Sequence, residues 1–127
     1  IDFGRILRES GASSLNDVSD GLSREINEIA LASQVTIELE KERIPLSDEL
    51  CRWGQDCGKE PFHFAINGGE DYELVGTISK KNWEYVKGIG GVTGIGHVTK
   101  AGKGQVFLKD KNSIKLLTIA GYDHFRL

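Results

Sequence analysis

The chain has 127 residues and a mass of 14.0 kDa, which is the size of one domain. Hydrophobic residues make up 39% and charged residues 28%, a balance that suits a globular core and excludes a disordered or fibrous chain. The formal net charge of -3 lacks the basic excess of nucleic-acid-binding proteins. No apolar run reaches the roughly 20 residues of a membrane span. We therefore expect no nucleic-acid partner and no membrane partner.

Periodicity in the first half of the chain predicts two helices with a strand between them. The first helix follows an N-cap at Ser19 or Asp20, since apolar residues come next at helical spacing: Leu22, Ile26, Ile29 and Ala30. Three charged residues fall outside that stripe: Arg24, Glu25 and Glu28. Apolar and polar residues then alternate over 35–40, as in a half-buried strand. Ser47 is predicted to cap a second short helix that ends near Gly58.

The second half predicts one further helix among four strands. A buried strand over 71–78 follows a tight turn at 67–69, and Ser79 caps the helix after it. The three last strands are predicted over these ranges: 92–98, 105–108 and 114–119. Helices and strands interleave early and strands follow one another late. This order predicts an α+β fold, a layered sandwich of a mixed sheet with helices.

The cysteines and histidines indicate no disulfide framework and no zinc site. The chain has two cysteines, Cys51 and Cys57, which are too few for a disulfide framework. Their spacing puts them on different faces of the second helix, and we expect both to be half-buried thiols. The three histidines are far apart in the sequence: His63, His97 and His124. The glycines near residue 90 precede a strand, so they do not form a dinucleotide-binding fingerprint, which opens a helix.

The first segment with possible chemistry runs from Asp17 to Leu22, with the sequence Asp-Val-Ser-Asp-Gly-Leu. Its two carboxylates, Asp17 and Asp20, flank the hydroxyl of Ser19 just before a helix. Carboxylates together with phosphate oxygens are ligands that Mg²⁺ prefers, and a helix N-terminus favours anions. Metal and phosphate binding is therefore one interpretation. Ordinary helix capping explains the same residues.

The second segment is the acidic turn Asn67-Gly-Gly-Glu-Asp-Tyr-Glu-Leu74. Three carboxylates around paired glycines cost like-charge repulsion, and glycines let the backbone approach a ligand closely. A solvated acidic turn is the alternative. The third segment, Gly121-Tyr-Asp-His-Phe125, clusters aromatic residues near a chain end. We expect it to pack either on the core or against a planar ligand.

In this order and spacing, the three segments resemble the C-terminal half of the thiamine-monophosphate kinases. Further matches are Ala32-Ser33, Ile44-Pro45-Leu46 and Ile95-Gly-His-Val-Thr99, so that the resemblance runs from about Ser13 to Phe125. Aminoimidazole ribonucleotide synthetase, selenophosphate synthetase and a hydrogenase maturation protein share that superfamily's architecture. The resemblance implies a fold like the C-terminal domain of the PurM proteins, distantly ferredoxin-like.

The resemblance also implies a function and the residues that serve it. The expected reaction is ATP- and Mg²⁺-dependent phosphorylation of thiamine monophosphate to thiamine diphosphate, in the cytoplasm. By residue, Asp17 and Asp20 are implied as magnesium ligands, Ser19 as an ATP contact, and Glu70 and Tyr122 as thiamine-phosphate contacts. No general base is assigned, because the attacking phosphate oxygen is already largely anionic near neutral pH. We expect catalysis to depend mainly on two effects: the metal neutralises the negative charge of the phosphates, and the protein aligns the two polyanionic substrates.

The family's enzyme also has an N-terminal domain that supplies most metal-binding aspartates and the dimer interface. The present chain starts at Ile1 and matches only the C-terminal domain, so we expect residues 1–127 to be one domain of a two-domain, homodimeric kinase. Alone, this domain is expected to be nearly inactive. One alternative is a non-catalytic module that binds nucleotide or thiamine phosphate, and another is a different enzyme of the superfamily. An aspartate-rich upstream region would favour the kinase over the binding module, and substrate competition would distinguish the other enzyme.

Overall fold

The structure, a computed structural model, describes residues 3–18, 20–69, 72, 74–119 and 121–122. Within these residues the helices are α1 Phe3–Glu9, α2 Leu22–Ser33, α3 Asp48–Cys57, α4 Pro61–Phe64 and α5 Lys80–Val86. The strands are β1 Ala12–Asp17, β2 Val35–Glu40, β3 Leu74–Ile78, β4 Gly96–Ala101, β5 Gln105–Asp110, β6 Ser113–Thr118 and β7 Gly121–Tyr122. A 3-10 turn, Lys41–Arg43, follows β2, and a π-helical turn, Ala65–Gly69, follows α4.

The strands form two separate sheets. A five-stranded sheet has the order β4-β2-β5-β6-β7, and a two-stranded sheet pairs β1 with β3. The β2–β5 pair is parallel and the other pairs are antiparallel, so the larger sheet is mixed. The predicted α+β class with a mixed sheet and helices is confirmed. Among the described residues, none of the helices combines the length and the apolar character that crossing a membrane requires.

Helix α2 contacts strands of both sheets and organises the core. The predicted stripe is correct, because Leu22, Ile26, Ile29 and Ala30 are all buried. They pack with residues of the larger sheet: Ile37, Leu39, Val106, Leu108 and Leu117. Glu25, predicted outside the stripe, is buried instead, with Oε1 accepting a hydrogen bond from Asn16 Nδ2 at 3.4 Å. Its position in the first turn of α2 also favours a negative charge.

Two of the predicted helix starts are confirmed in atomic detail. Ser47 Oγ accepts a hydrogen bond from the Leu50 backbone N–H at 3.1 Å at the start of α3. Ser79 Oγ accepts one from the Asn82 backbone N–H at 3.2 Å at the start of α5. Both hydroxyls satisfy a donor that the helix itself leaves free. On α3, Cys51 is half-buried and Cys57 exposed, so only Cys51 matches the prediction of half-buried thiols.

The structure also differs from the predictions in the following regions. The residues of the tight turn predicted at 67–69 belong to the π-helical turn Ala65–Gly69. The strand predicted over 92–98 begins only at Gly96, because residues 92–95 before it are irregular; a Cβ at Gly94 would lie 3.0 Å from the Trp83 ring. Helix α1 and strand β1 were not predicted. Strand β1 has little apolar alternation, and its pairing with β3, which is distant in the sequence, supplies the hydrogen bonds that stabilise it.

Lys41 joins three elements on one side of the larger sheet. Its Nζ lies 2.5 Å from Glu60 Oε1 beside α4 and 3.5 Å from Asp110 Oδ2 at the end of β5. The same atom lies 5.1 Å from the centre of the Phe62 ring. Burial alone would lower the pKa of Lys41, but the hydrogen bonds and charges of Glu60 and Asp110 outweigh burial and raise the pKa above its ordinary value of 10.5.

Candidate functional site

The β1–β3 pair brings two of the predicted segments to one end of the small sheet. Asp17, the last residue of β1, pairs with Leu74, the first residue of β3, in an antiparallel register. The chain leaving β1 and the chain entering β3 therefore pass the same end of this pair. The Asp17 side chain is exposed there. Ser19 and Glu70 belong to these two chain segments and lie outside the described residues.

The turn into α2 places Asp20 at the beginning of that helix. The N-cap is Gly21, so the cap predicted at Ser19 or Asp20 is wrong. Gly21 has a φ of 97°, a conformation that residues with a Cβ rarely adopt, and this allows the sharp entry into the helix. Asp20 is exposed, with Oδ2 3.9 Å from Arg24 Nε, which also lies 3.7 Å from Glu28 Oε1. This ion pair is loose, so Asp20 presents a solvent-facing carboxylate.

The second segment approaches α2 through Asn67 in the π-helical turn. Asn67 is exposed, and its Oδ1 lies 3.3 Å from Ser23 Oγ, within hydrogen-bond distance. On its other side, Nδ2 lies 3.5 Å from Nε2 of His63 on α4. The residues leading to the acidic turn are therefore attached to the first turn of α2.

The third segment approaches the same hydroxyl. Gly121 and Tyr122 form β7, in which Tyr122 pairs with Leu117 of β6. Just before β7, the carbonyl oxygen of Ile119 lies 3.4 Å from Ser23 Oγ. The Tyr122 side chain and residues 123–127 lie outside the part of the chain that the structure describes, so the predicted packing of the tail is not tested.

Ser23 is the residue of this site that sequence reasoning missed. It is buried, with 1% of its surface exposed. Among the described residues that are buried in the first turn of α2, it alone carries a hydroxyl. The pattern held a signal, because positions 23, 26 and 30 fall on one side of a helix and the last two are apolar. A hydroxyl on an apolar stripe indicates a buried polar group that needs partners.

Asp17 and Asp20 have the chemistry of a partial magnesium site. Among the described residues, no group of three or more histidine, cysteine, aspartate or glutamate side chains is arranged to hold a metal ion. Mg²⁺ often takes one or two protein carboxylates and completes its shell with water and substrate phosphate oxygens. Two exposed carboxylates that both precede α2 supply oxygen ligands for that role and do not form an all-protein cage.

An apolar cavity lies beside this end of the fold but has a different character. Its volume is about 440 Å³, and it lies between the β1–β3 pair, α5 and the residues before β4. Leu22 and Tyr72 line it near the site, and Trp83 lines it further away. None of the described residues lining it carries a charge, so the cavity itself does not suit a phosphate or a metal ion.

Comparison with known proteins identifies the class of the chain. The family described as "AIR synthase related protein, C-terminal domain" matches residues 1–109. The chain belongs to this family. The predicted fold, like the C-terminal domain of the PurM proteins, is confirmed by this match and by the solved structures below.

Within that family, the chain is similar to thiamine-monophosphate kinases. It is 38% identical to that of Bacillus subtilis over 99% of this chain, and 36% identical to that of Pyrococcus horikoshii over 91% of it. These alignments cover 39% and 35% of the two relatives, so the chain spans less than half their length. The resemblance stated from the three segments is confirmed.

Solved structures agree with this placement. AaThiL complexed with AMPPCP and TMP superimposes with a TM-score of 0.70 at 35% identity, covering 98% of this chain and 37% of that one. Hydrogenase maturation protein HypE in complex with ATP gives a TM-score of 0.68 at 21% identity, covering 90% of this chain and 38% of that one. At that identity, HypE supports the fold alone.

Proposed function

We propose that this chain is the C-terminal domain of a kinase that transfers the γ-phosphoryl group of ATP to thiamine monophosphate. The observation that supports the proposal is that the end of β1 lies beside the start of β3, while Asn67 and the carbonyl oxygen of Ile119, which precedes the third segment, both lie against Ser23 in the first turn of α2. Similar proteins named thiamine-monophosphate kinase support it, as does a similar solved structure complexed with AMPPCP and TMP. A preceding domain completes the site, and the whole protein is a cytoplasmic homodimer.

The roles follow from the chemistry of the residues. Asp17 and Asp20 would hold Mg²⁺, and Ser19 would bind ATP. Glu70 and Tyr122 bind thiamine monophosphate. When bound, the metal neutralises charge on the phosphates, which would otherwise repel each other. The chain then needs only to align donor and acceptor, since the acceptor phosphate is already anionic and requires no base.

Replacement of Asp20 tests the metal role. In the natural gene product that contains this chain, Asp20→Asn removes one charge from an exposed site without changing side-chain size. We expect kcat to fall at least about tenfold, with a higher Mg²⁺ requirement, because removal of one electrostatic contact commonly costs that much. A coupled assay for ADP release across a Mg²⁺ titration measures both.

Asp56→Asn is the matched control, because Asp56 is also an exposed aspartate and lies on α3. It should keep the wild-type kcat and Mg²⁺ dependence. Unchanged turnover in Asp20→Asn would refute the metal role. A wild-type gene product that binds nucleotide or thiamine monophosphate but transfers no phosphate would support the non-catalytic binding module instead.

A further inference from the structure

The hydroxyl of Ser23 lies between the three segments that carry the proposed site. Its Oγ is 3.3 Å from Asn67 Oδ1 and 3.4 Å from the carbonyl oxygen of Ile119. A serine hydroxyl has one proton, so it donates to one of these acceptors at a time or is shared between them. Both partners come from segments distant in sequence, and neither belongs to α2.

Each of the three contacting residues lies three positions from a proposed ligand-binding residue. Ser23 comes three residues after Asp20, Asn67 three residues before Glu70, and Ile119 three residues before Tyr122. Each contact therefore lies close along the chain to a proposed ligand-binding residue without being one. The side chains of Asn67 and Ile119 are exposed, whereas Ser23 is buried on a helix that contacts both sheets.

We propose that Ser23 is a positioning residue that fixes the two thiamine-monophosphate-binding segments relative to the metal-binding end of α2. This inference rests on the proposed function. Asp17 and Asp20 keep their positions through β1 and α2 themselves. The segments that lead to Glu70 and Tyr122 are placed by the π-helical turn and by the β6–β7 pairing, and the Ser23 hydroxyl adds a direct hydrogen bond from α2 to them. Loss of the hydroxyl should therefore weaken the use of thiamine monophosphate and spare the use of ATP.

Steady-state kinetics of Ser23→Ala in the natural gene product test this directly. We expect KM for thiamine monophosphate to rise about fivefold, in the range that one lost hydrogen bond produces, while KM for ATP stays within about twofold. A purely structural defect would lower the amount of active enzyme and leave both KM values unchanged. A rise of the same size in both KM values would overturn the proposal.

Asn67→Ala provides a second variant that does not disturb the core, since Asn67 is exposed. It should raise KM for thiamine monophosphate in the same selective way. The double variant Ser23→Ala/Asn67→Ala should show a smaller increase than the product of the two single effects, because both remove the same contact. An unchanged KM in Asn67→Ala, or fully multiplicative effects in the double variant, would overturn the positioning role.

Ser47→Ala is the matched control, because it deletes a serine hydroxyl that accepts a hydrogen bond at the α3 N-cap, away from the site. It should reduce stability and leave both KM values unchanged. Failure of the proposed function is recognised separately, because the wild-type protein would then transfer no phosphate to thiamine monophosphate. An active wild type with unchanged KM values in both site variants would overturn the Ser23 role alone.

Discussion

At the residue scale, Gly76 sets the distance between β1 and β3. A Cβ at this position would lie 2.3 Å from the carbonyl oxygen of Ser14 and 3.0 Å from Leu15 Cδ1. The first of these atoms is backbone and cannot move aside alone. The register of the pair also shifts between Ala12 and Ser14, so the strands approach closely at an irregular point. The pairing of β1, which carries Asp17, with β3 therefore requires a residue without a Cβ at position 76.

Gly76→Ala should lower the free energy of unfolding by about 1–3 kcal/mol, because the added methyl group forces the strands apart. Urea denaturation of the natural gene product measures the change. Gly88→Ala is the control, since a Cβ there meets open space. Equal stability of the two variants would contradict this explanation.

At the scale of single elements, the start of α3 depends on one hydroxyl. Ser47 Oγ satisfies the Leu50 N–H, and Asp48 and Glu49 add negative charge to the first turn. Ser47→Ala should therefore destabilise the protein by about 1 kcal/mol in a thermal or urea melt. Ser33→Ala, at the exposed last residue of α2, removes a hydroxyl that caps no helix start and should leave stability nearly unchanged. If both variants lost the same stability, the cap would not be the cause.

At the scale of the whole molecule, Lys41 connects the 3-10 turn after β2 with α4 and the end of β5. Since its folded-state pKa is raised, its contribution to stability is complete below the unfolded value of 10.5 and is lost as the pH rises through the folded pKa. Lys41→Met should cost about 1 kcal/mol at neutral pH. The difference from wild type should shrink only above the ordinary lysine pKa.

Urea denaturation of both proteins at several pH values between neutrality and strong alkali measures this difference. Lys81→Met is the control, because Lys81 is an exposed lysine on α5. It should match wild type at every pH. A Lys41→Met deficit that persisted unchanged in strong alkali would mean that lost packing on Phe62, and not charge, explains the effect.

The sequence by itself determined the elements whose signals are local. The apolar stripe of α2, the alternation of β2 and the serine caps of α3 and α5 were all correct, because helix period, strand period and capping depend on neighbours a few residues apart. The family was also determined, because three short segments in fixed order carry it. The site residues Asp17, Ser19, Asp20, Glu70 and Tyr122 come from that resemblance and stay predictions.

Only the tertiary structure decided what depends on distant contacts. Strand β1 exists because β3 pairs with it, and the buried Glu25 of α2 accepts a hydrogen bond from Asn16 of β1. Ser23 was identified as a candidate positioning residue because two residues far from it in the sequence lie within hydrogen-bond distance of its hydroxyl. The periodicity of a sequence predicts which side of a helix or strand is apolar, but it does not predict which other element packs against that side. For that physical reason the polar junction at Ser23 was visible only in the folded chain.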